Sequence, residues 1–346
     1  VRAADLPGAD LGWAEDLGVE VVSGSIDDPD YVDAAVAGTD IVLHTAGIFD
    51  LSASRELMER VNVRGTRIIC EAAVRHDVGR FVHFSSVAVY GPPVATPCHE
   101  DGIKRPADDY QQTKWRAEQV VMEHHRAHGL PAVALRPALV YGPGSKYGTA
   151  MFLVSIHVMR FLGLVKFPLV AGGPVSNMVH IDDVVSATQL VARREGIEGR
   201  AFNVADDGSL SLEALSRMYL ELCGVRPVPL PSWTEGLTVF ALRKGTPRLS
   251  TWLTKINGRL DKHWPRMVEA FDLVPALRPR FDIEWLSYFY DSHYFDTGAL
   301  KSLGWRPVNP SIALGMPGTL AWYREQRWMP TLEEIAAHRV ANGRTP

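Results

Sequence analysis

A tyrosine and a lysine four residues apart are the residues of this sequence best suited to proton transfer. Tyr110 begins and Lys114 ends the segment YQQTK, and residues i and i+4 of a helix lie on one face. A free tyrosine titrates near ~10, but a neighbouring cation stabilises the phenolate and lowers its pKa. Tyr110 could therefore exchange a proton with a substrate hydroxyl or carbonyl, and Lys114 could hold a ribose. The spacing alone also occurs on ordinary surface helices.

Two serines stand upstream of this pair, where a short apolar run ends. The run Phe81–Phe84 predicts a buried strand, and Ser85 and Ser86 follow it directly. Ligands of parallel sheets bind at the carboxyl ends of the strands. Ser86 could hydrogen-bond a substrate oxygen while Tyr110 handles the proton. Alternatively, both hydroxyls serve only the backbone groups of a turn.

The elements that must position these residues alternate between strands and helices. Short apolar strands that alternate with helices predict a doubly wound, parallel α/β sheet covered on both faces. Asp108 and Asp109 are candidate caps of the helix that carries Tyr110. The predicted strands are Val19–Ser23, Ile41–His44, Phe81–Phe84 and Ala132–Leu135, and the predicted helices are 55–75 and 110–128.

The pattern becomes less regular beyond residue 145. We predict a cofactor-binding domain over 1–145, with returning segments near 178–205, and a substrate lobe over 146–346 that is interleaved with it. The strand-like Ala201–Val204 and the helix-like Leu212–Leu222 are candidates for the return to the first domain. Residues 150–170 are apolar enough to line an apolar cavity or to form core.

Taken together, these motifs resemble the extended short-chain dehydrogenase/reductase family, in the branch of NAD-dependent epimerases, dehydratases and 3β-hydroxysteroid dehydrogenases. The resemblance covers most of residues 1–230 and resumes at 295–307. It implies a Rossmann-like fold and a catalytic triad of Ser86, Tyr110 and Lys114. Asn62 matches a position that is mainly structural in that family.

The resemblance also implies NAD as the cofactor, with NADP the less favoured alternative. Arg136 and Pro137 match a segment near the nicotinamide, and His180 and Asp182 match a segment that closes the site. Residues expected to touch the substrate are Ser86, Tyr147 and His180. Residues expected to bind the cofactor are Asp5, Ser25, Ile26, Thr45, Ala46, Gly47, Tyr110, Lys114 and Pro137.

One expected feature, the glycine-rich turn that binds pyrophosphate, is not found in the sequence. Gly142 and Gly144 follow the Tyr110 helix instead of opening a βαβ unit. Asp5 fits the acidic residue that grips the adenosine ribose downstream of such a turn. We therefore expect that roughly 30 residues, one strand, the turn and one helix, are lacking from this chain. A protein that naturally lacks the turn is the alternative, and it would bind a dinucleotide poorly.

Composition excludes several other classes. The 346 residues carry a net charge of −4, which argues against general nucleic-acid binding. Three widely separated cysteines predict neither a disulfide framework nor a metal site, and a reducing, cytoplasmic location follows. No signal peptide or spanning segment is evident. His124 and His128 share a helix face, but without a third ligand we expect no metal.

A basic, apolar-rich segment is the remaining feature of interest. Residues 240–280 contain nine Lys or Arg and three Asp or Glu. The interleaved apolar residues favour either peripheral contact with a membrane or an ordinary substrate-lobe helix with a solvated basic face. These apolar residues are Phe240, Leu242, Leu249, Trp252, Leu253, Ile256, Leu260, Trp264 and Phe271.

The function that the sequence predicts is interconversion of a secondary alcohol and a ketone on a large, apolar small molecule. One alternative is a nucleotide-sugar epimerase or dehydratase that retains NAD. A dehydratase should carry an acid/base pair just after the catalytic serine, where this chain has Val87 and Ala88. A non-catalytic binding protein of the same fold is the second alternative, and a homodimer is plausible for this family.

Overall fold

The computed structural model describes residues 1–49, 53–231, 233, 234, 236, 246–281 and 291–343, and for 246–250 it describes only the backbone. These residues form two compact units. The first unit comprises 1–138, 185–204 and 296–306, and the second comprises 139–184, 205–295 and 307–346. That the first binds cofactor and the second binds substrate remains a prediction.

A parallel sheet forms the centre of the first unit. Four strands lie in the order β10-β5-β4-β3, and a separate parallel pair joins β1 to β2. This is the Rossmann-like α/β architecture that the sequence predicts, and each predicted strand is found within one or two residues of its expected ends. The strands are β1 (Arg2–Asp5), β2 (Glu20–Ser23), β3 (Ile41–His44), β4 (Arg80–Phe84), β5 (Ala132–Pro137) and β10 (Ala201–Val204).

Helices cover this sheet with their apolar faces. Val36 and Val121 are buried against the strand residues Val42 and Phe81, and burying such a side chain contributes about 1.5–3 kcal/mol. The helices are α1 (Gly12–Asp16), α2 (Pro29–Val36), α3 (Arg55–Met58), α4 (Thr66–Arg75), α5 (Asp109–His128), most of α7 (Ile181–Arg193) and α10 (Gly298–Ser302).

A π-helical turn, Glu59–Gly65, joins α3 to α4. The predicted helix 55–75 is therefore continuous but locally wide, a form that often marks functional sites. Gly65 leaves room for Ile26, because a Cβ added to this glycine would come within 2.8 Å of the Ile26 side chain.

The second unit is built around helix α6 (Thr149–Leu162). Nine of its fourteen residues are buried, so the apolar stretch near 150–170 forms core as far as the end of this helix. Lys166, Phe167 and Pro168, which follow the helix, are exposed. The helix Leu212–Leu222, a candidate for return to the first domain, belongs to the second unit. The other elements are β6 (Leu139–Tyr141), β7 (Lys166–Leu169), β8 (Val175–Ser176), β9 (Met178–His180), β11 (Leu210–Ser211), α8 (Leu212–Leu222), β12 (Arg226–Pro229), α9 (Thr246–Phe271), α11 (Ile312–Glu325) and α12 (Leu332–Ala341).

Within the part of the chain that the structure describes, no helix combines the length and apolar character needed to cross a bilayer.

Candidate active site

Helix α5 begins immediately before Tyr110, which fixes the position of the tyrosine and lysine. Of the two candidate caps, Asp108 is the one that caps the helix, because its side chain accepts a hydrogen bond from the backbone N–H of Gln111 at 2.8 Å. Asp109 is the first residue of the helix instead. The helix ends at Gly129, whose φ of 72° is left-handed. Tyr110 and Lys114 therefore lie one turn apart on one face of a regular helix. The Tyr110 ring also packs edge-on against Phe49, with a centroid distance of 5.0 Å.

Lys114 is the buried cation of this site. Its side chain Nζ donates a 2.5 Å hydrogen bond to the carbonyl oxygen of Phe84, the last residue of β4. Burial lowers the Lys114 pKa to about 8, and the opposite charge of Glu118 partly offsets this effect. The ammonium is thus held at a strand end and is still mainly protonated at neutral pH.

The two serines after β4 have different partners. The Ser85 hydroxyl donates to the carboxylate of Glu118 at 2.6 Å, so Ser85 belongs to the buried interior. The Ser86 oxygen accepts from the backbone N–H of Ala88 at 3.1 Å and caps the short 3₁₀ turn Val87–Tyr90. The turn-capping role that the sequence left open is therefore present, while the Ser86 O–H proton remains suited to a substrate oxygen.

Glu118 joins the catalytic helix to the interior of the sheet. Its two carboxylate oxygens accept from Nη2 and Nε of Arg136 at 2.5 and 3.0 Å, and both residues are almost fully buried. Nη1 of Arg136 donates to the Tyr90 hydroxyl and to the carbonyl of Glu100. The family resemblance implies that Arg136 lies near the nicotinamide, but its guanidinium is committed to this network.

Glu118 was missed at the sequence level. It lies four residues after Lys114 and eight after Tyr110, so the same helical spacing that identified the first two residues could have found the third.

Asn62, in the π-helical turn, clamps the loop that follows β3. Its amide oxygen accepts from the N–H of Ile48 at 2.7 Å, and its amide nitrogen donates to the Ile48 carbonyl and to Oγ1 of Thr113, both at 3.2 Å. Thr113 directly precedes Lys114 in α5. Asn62 thus ties the loop beside the expected cofactor to the catalytic helix, in keeping with the structural role expected of it.

Two buried histidines on neighbouring strands lie close enough to Lys114 to feel its charge. His44 and His83 are partners in the register of β3 and β4, with ring centroids 5.3 Å apart. Thr66 donates its hydroxyl proton to the Asn62 carbonyl at 2.6 Å. Toward His44 the Thr66 oxygen can therefore only accept, and it lies 2.9 Å from His44 Nε2. The imidazole proton of His44 is thus on Nε2.

Burial keeps both imidazoles neutral. It lowers the His44 pKa to about 3 and the His83 pKa well below its usual value, and the Lys114 charge acts in the same direction on both. Among the residues that the structure describes, neither ring nitrogen of His83 finds a hydrogen-bond partner, so protonation of His83 would gain little. The lysine ammonium is thus the charged member of this trio at neutral pH.

We predict that His83 makes the fold sensitive to acid. The pKa of His83 is depressed in the folded protein, so below pH ~6.5 the unfolded chain binds a proton that the folded chain excludes. The free energy of unfolding is therefore retained above this pH and falls as the pH drops below it. His83→Leu should shrink the difference in unfolding free energy between pH 8 and pH 5 by about 2 kcal/mol. Urea denaturation at both pH values measures it.

The exposed His128 provides the matched control. His128→Leu makes the same substitution at an exposed position and should leave the pH difference unchanged. An equal effect of the two variants would show that His83 does not exclude the proton.

Four of the residues predicted to bind the cofactor lie at strand ends of the first unit. Asp5 ends β1 and is exposed, and Thr45, Ala46 and Gly47 follow β3 and are also exposed. At Gly47 a Cβ would lie 3.2 Å from the Asn62 amide oxygen and 3.9 Å from Lys114 Nζ, so the glycine keeps the approach to the lysine open.

The remaining predicted cofactor residues lie at the ends of their strands. Ser25 and Ile26 follow β2, and the Ser25 hydroxyl donates to the Asp27 carboxylate. This contact places a carboxylate beside the Ser25 hydroxyl. Pro137 is the last residue of β5. Their assignment to the cofactor stays a prediction.

The two predicted substrate residues outside the triad lie in the second unit. His180 is buried against Tyr141 with ring centroids 5.2 Å apart, and its Nδ1 accepts from the N–H of Asp182. Tyr147 is 60% exposed. Their contact with substrate remains a prediction.

His124, the first of the two histidines on this helix face, bonds to its own helix. His124 Nδ1 donates to the Val120 carbonyl at 2.8 Å, and the two rings lie 5.6 Å apart. No group of three potential metal ligands occurs among the residues that the structure describes.

Comparison with known proteins finds a matching protein family. The profile of the "NAD dependent epimerase/dehydratase family" matches residues 4–205. A dTDP-glucose 4,6-dehydratase of Streptomyces niveus is 31% identical over 86% of this chain and 81% of its own length. A 3 beta-hydroxysteroid dehydrogenase/Delta 5-->4-isomerase of Mycobacterium tuberculosis is 28% identical over 84% of this chain and 75% of its own length.

Solved structures show the same fold. The structure of DesIV, a dTDP-glucose 4,6-dehydratase from Streptomyces venezuelae with NAD and TYD bound, superposes with a TM-score of 0.62 and 24% identity over 90% of this chain and 82% of that one. The match with the Streptomyces antibioticus dTDP-glucose 4,6-dehydratase, at 30% identity, spans 61% of this chain and 63% of that protein's length.

Proposed function

Because the chain belongs to the NAD-dependent epimerase/dehydratase family, within the extended short-chain dehydrogenase/reductase enzymes, we propose that it transfers hydride at a secondary alcohol or ketone carbon. The observation that carries the proposal is the arrangement on α5. Tyr110 and the buried Lys114 share one helix face, and the lysine is anchored to the end of β4. Bound NAD would supply the hydride acceptor, or NADH the donor, at the nicotinamide ring.

Tyr110 acts as the general acid and base. In oxidation its phenolate takes the proton of the substrate hydroxyl, and in reduction its phenol returns a proton to the carbonyl oxygen. Lys114 stabilises the phenolate by its charge and would hold the nicotinamide ribose. Ser86 donates its hydroxyl proton to the substrate oxygen and so aligns it for Tyr110.

We propose a large, apolar alcohol, such as a 3β-hydroxysteroid, as the substrate class. The sequence just after Ser86 supports this choice. A dehydratase needs a further acid/base pair there, but Val87 is buried and apolar and Ala88 has no ionisable group. The 28% identity to the mycobacterial 3 beta-hydroxysteroid dehydrogenase is in keeping with this proposal.

A nucleotide sugar is the second candidate substrate. The observation in its favour is the 31% identity with the Streptomyces niveus dTDP-glucose 4,6-dehydratase over most of both chains. In such a reaction the cofactor would be reduced and reoxidised within one catalytic cycle, so NADH would not accumulate.

The two candidate reactions differ in whether NADH accumulates. We expect the purified protein with NAD and a 3β-hydroxysteroid to form one NADH for each ketone, followed by NADH absorbance and by chromatography of the steroid. Conversion of dTDP-glucose without net NADH, and no reaction with the steroid, would overturn the apolar assignment in favour of the sugar. No hydride transfer with either class would contradict the proposed function itself.

A further inference from the structure

One face of the long helix α9 carries four cations in a row. Lys255, Arg259, Lys262 and Arg266 are separated by four, three and four residues and are all exposed. This spacing keeps them on one stripe, about 16 Å long at 1.5 Å per residue. Trp252, 53% exposed, lies three residues before Lys255 and continues the same row. We call these five residues the basic row.

The opposite face of α9 packs into the core of the second unit. Its buried residues are Leu253, Leu260, Trp264, Met267 and Phe271. The sequence left two alternatives for the apolar residues of this segment, contact with lipid or packing in the substrate lobe. The structure buries four of those named there in the core of the second unit: Leu253, Leu260, Trp264 and Phe271. Phe240 and Leu242 lie outside the described residues, and so does the Leu249 side chain.

The row is not neutralised by the acidic groups described around it. Between Lys255 and Phe271 the helix has two acidic residues, Asp261 and Glu269, and Asp261 lies 4.0 Å from Arg278. None of the four cations forms an ion pair with another residue that the structure describes. This concentration of charge stands out in a chain whose net charge is −4.

We propose that the basic row docks the protein on the anionic headgroups of a lipid bilayer. Four aligned cations match a flat, negative surface, and juxtamembrane cations of this kind attract anionic lipid. Trp252 stands in line with them, and indole rings prefer the depth of the headgroups. A long nucleic acid fits less well, because the rest of the chain is net acidic and would repel it. The contact is electrostatic and needs no unfolding of the packed apolar face.

The test is co-sedimentation of the full chain with phosphatidylcholine vesicles, with and without phosphatidylserine. We expect binding only with the anionic lipid and its loss at high salt. Replacing the four cations of the row by glutamine should weaken binding roughly a thousandfold. The matched control replaces four exposed arginines of the first unit by glutamine: Arg67, Arg126, Arg193 and Arg194. This control variant should bind like the parent.

Each other result would overturn the proposal. Equal loss in the control variant would indicate a net-charge effect, and displacement by inorganic phosphate beyond that by chloride at equal ionic strength would indicate a free-phosphate site. Binding to duplex DNA but not to vesicles would indicate a nucleic-acid surface. If the fourfold variant fails to fold, as judged by circular dichroism, Trp252→Ala with Lys255→Gln replaces it. This pair should then weaken vesicle binding severalfold, and unchanged binding would contradict the proposal.

Discussion

Tyr110→Phe is expected to lower the rate of hydride transfer by about 10²–10⁴-fold, the usual contribution of a positioned general acid or base. Phenylalanine keeps the ring and therefore the edge-on contact with Phe49, so the fold of the site should persist. What is lost is the O–H group that exchanges the proton with the substrate oxygen. The measurement is single-turnover formation of NADH from the alcohol, with KM and kcat determined separately.

The expected split is a large fall in kcat with little change in KM, because the proton moves in the transition state and not on binding. Tyr294→Phe, which removes a hydroxyl in the second unit, serves as the control and should keep the parent rate. Undiminished turnover by Tyr110→Phe would exclude this tyrosine as the acid and base.

Substitution of Lys114 tests the same mechanism by a second measurement, the pH dependence of kcat. Its ammonium is the charge that stabilises the Tyr110 phenolate, so Lys114→Met should raise the pH at which kcat reaches its plateau. A merely structural lysine would lower activity without moving this profile.

Local patterns in the sequence were sufficient for the elements that carry the site. Ile41–His44 has its predicted ends, and both β4 and α5 begin one residue before their predicted starts. A strand alternates or runs apolar, and a helix repeats every 3.6 residues, so both are visible within a short window. The positions of Tyr110 and Lys114 follow from that repeat alone.

Tertiary partners could not be predicted in this way. Arg136 and Glu118 are 18 residues apart in sequence, on different elements, and nothing in either segment indicates their pairing. Which face of the basic helix packs into the core could not be predicted either. Its composition suits both a core helix and an interfacial one, and only the burial of Leu260 and Met267 shows that its apolar face packs inward.

The buried pair of Glu118 and Arg136 should have the largest effect on stability. Glu118→Leu would leave the Arg136 guanidinium charged, buried and without its carboxylate, and it would also remove the acceptor of the Ser85 hydroxyl. Breaking one side of a buried ion pair costs about 3–5 kcal/mol. The free energy of unfolding in urea, at a pH where the histidines are neutral, measures this loss. Loss of less than ~1 kcal/mol would place the pair among weak, surface-like interactions.

The double variant Glu118→Leu with Arg136→Met separates stability from catalysis. Replacing both charges by apolar side chains of similar size is often neutral for stability, so most of the lost free energy should return. Activity should not return with it, because Glu118 raises the pKa of Lys114 against the effect of burial. Without that carboxylate the lysine would lose its proton more readily and stabilise the Tyr110 phenolate less. A stable double variant with a lower kcat and an altered pH profile would identify Glu118 as a positioning residue for the lysine. Full activity in that variant would limit Glu118 to packing.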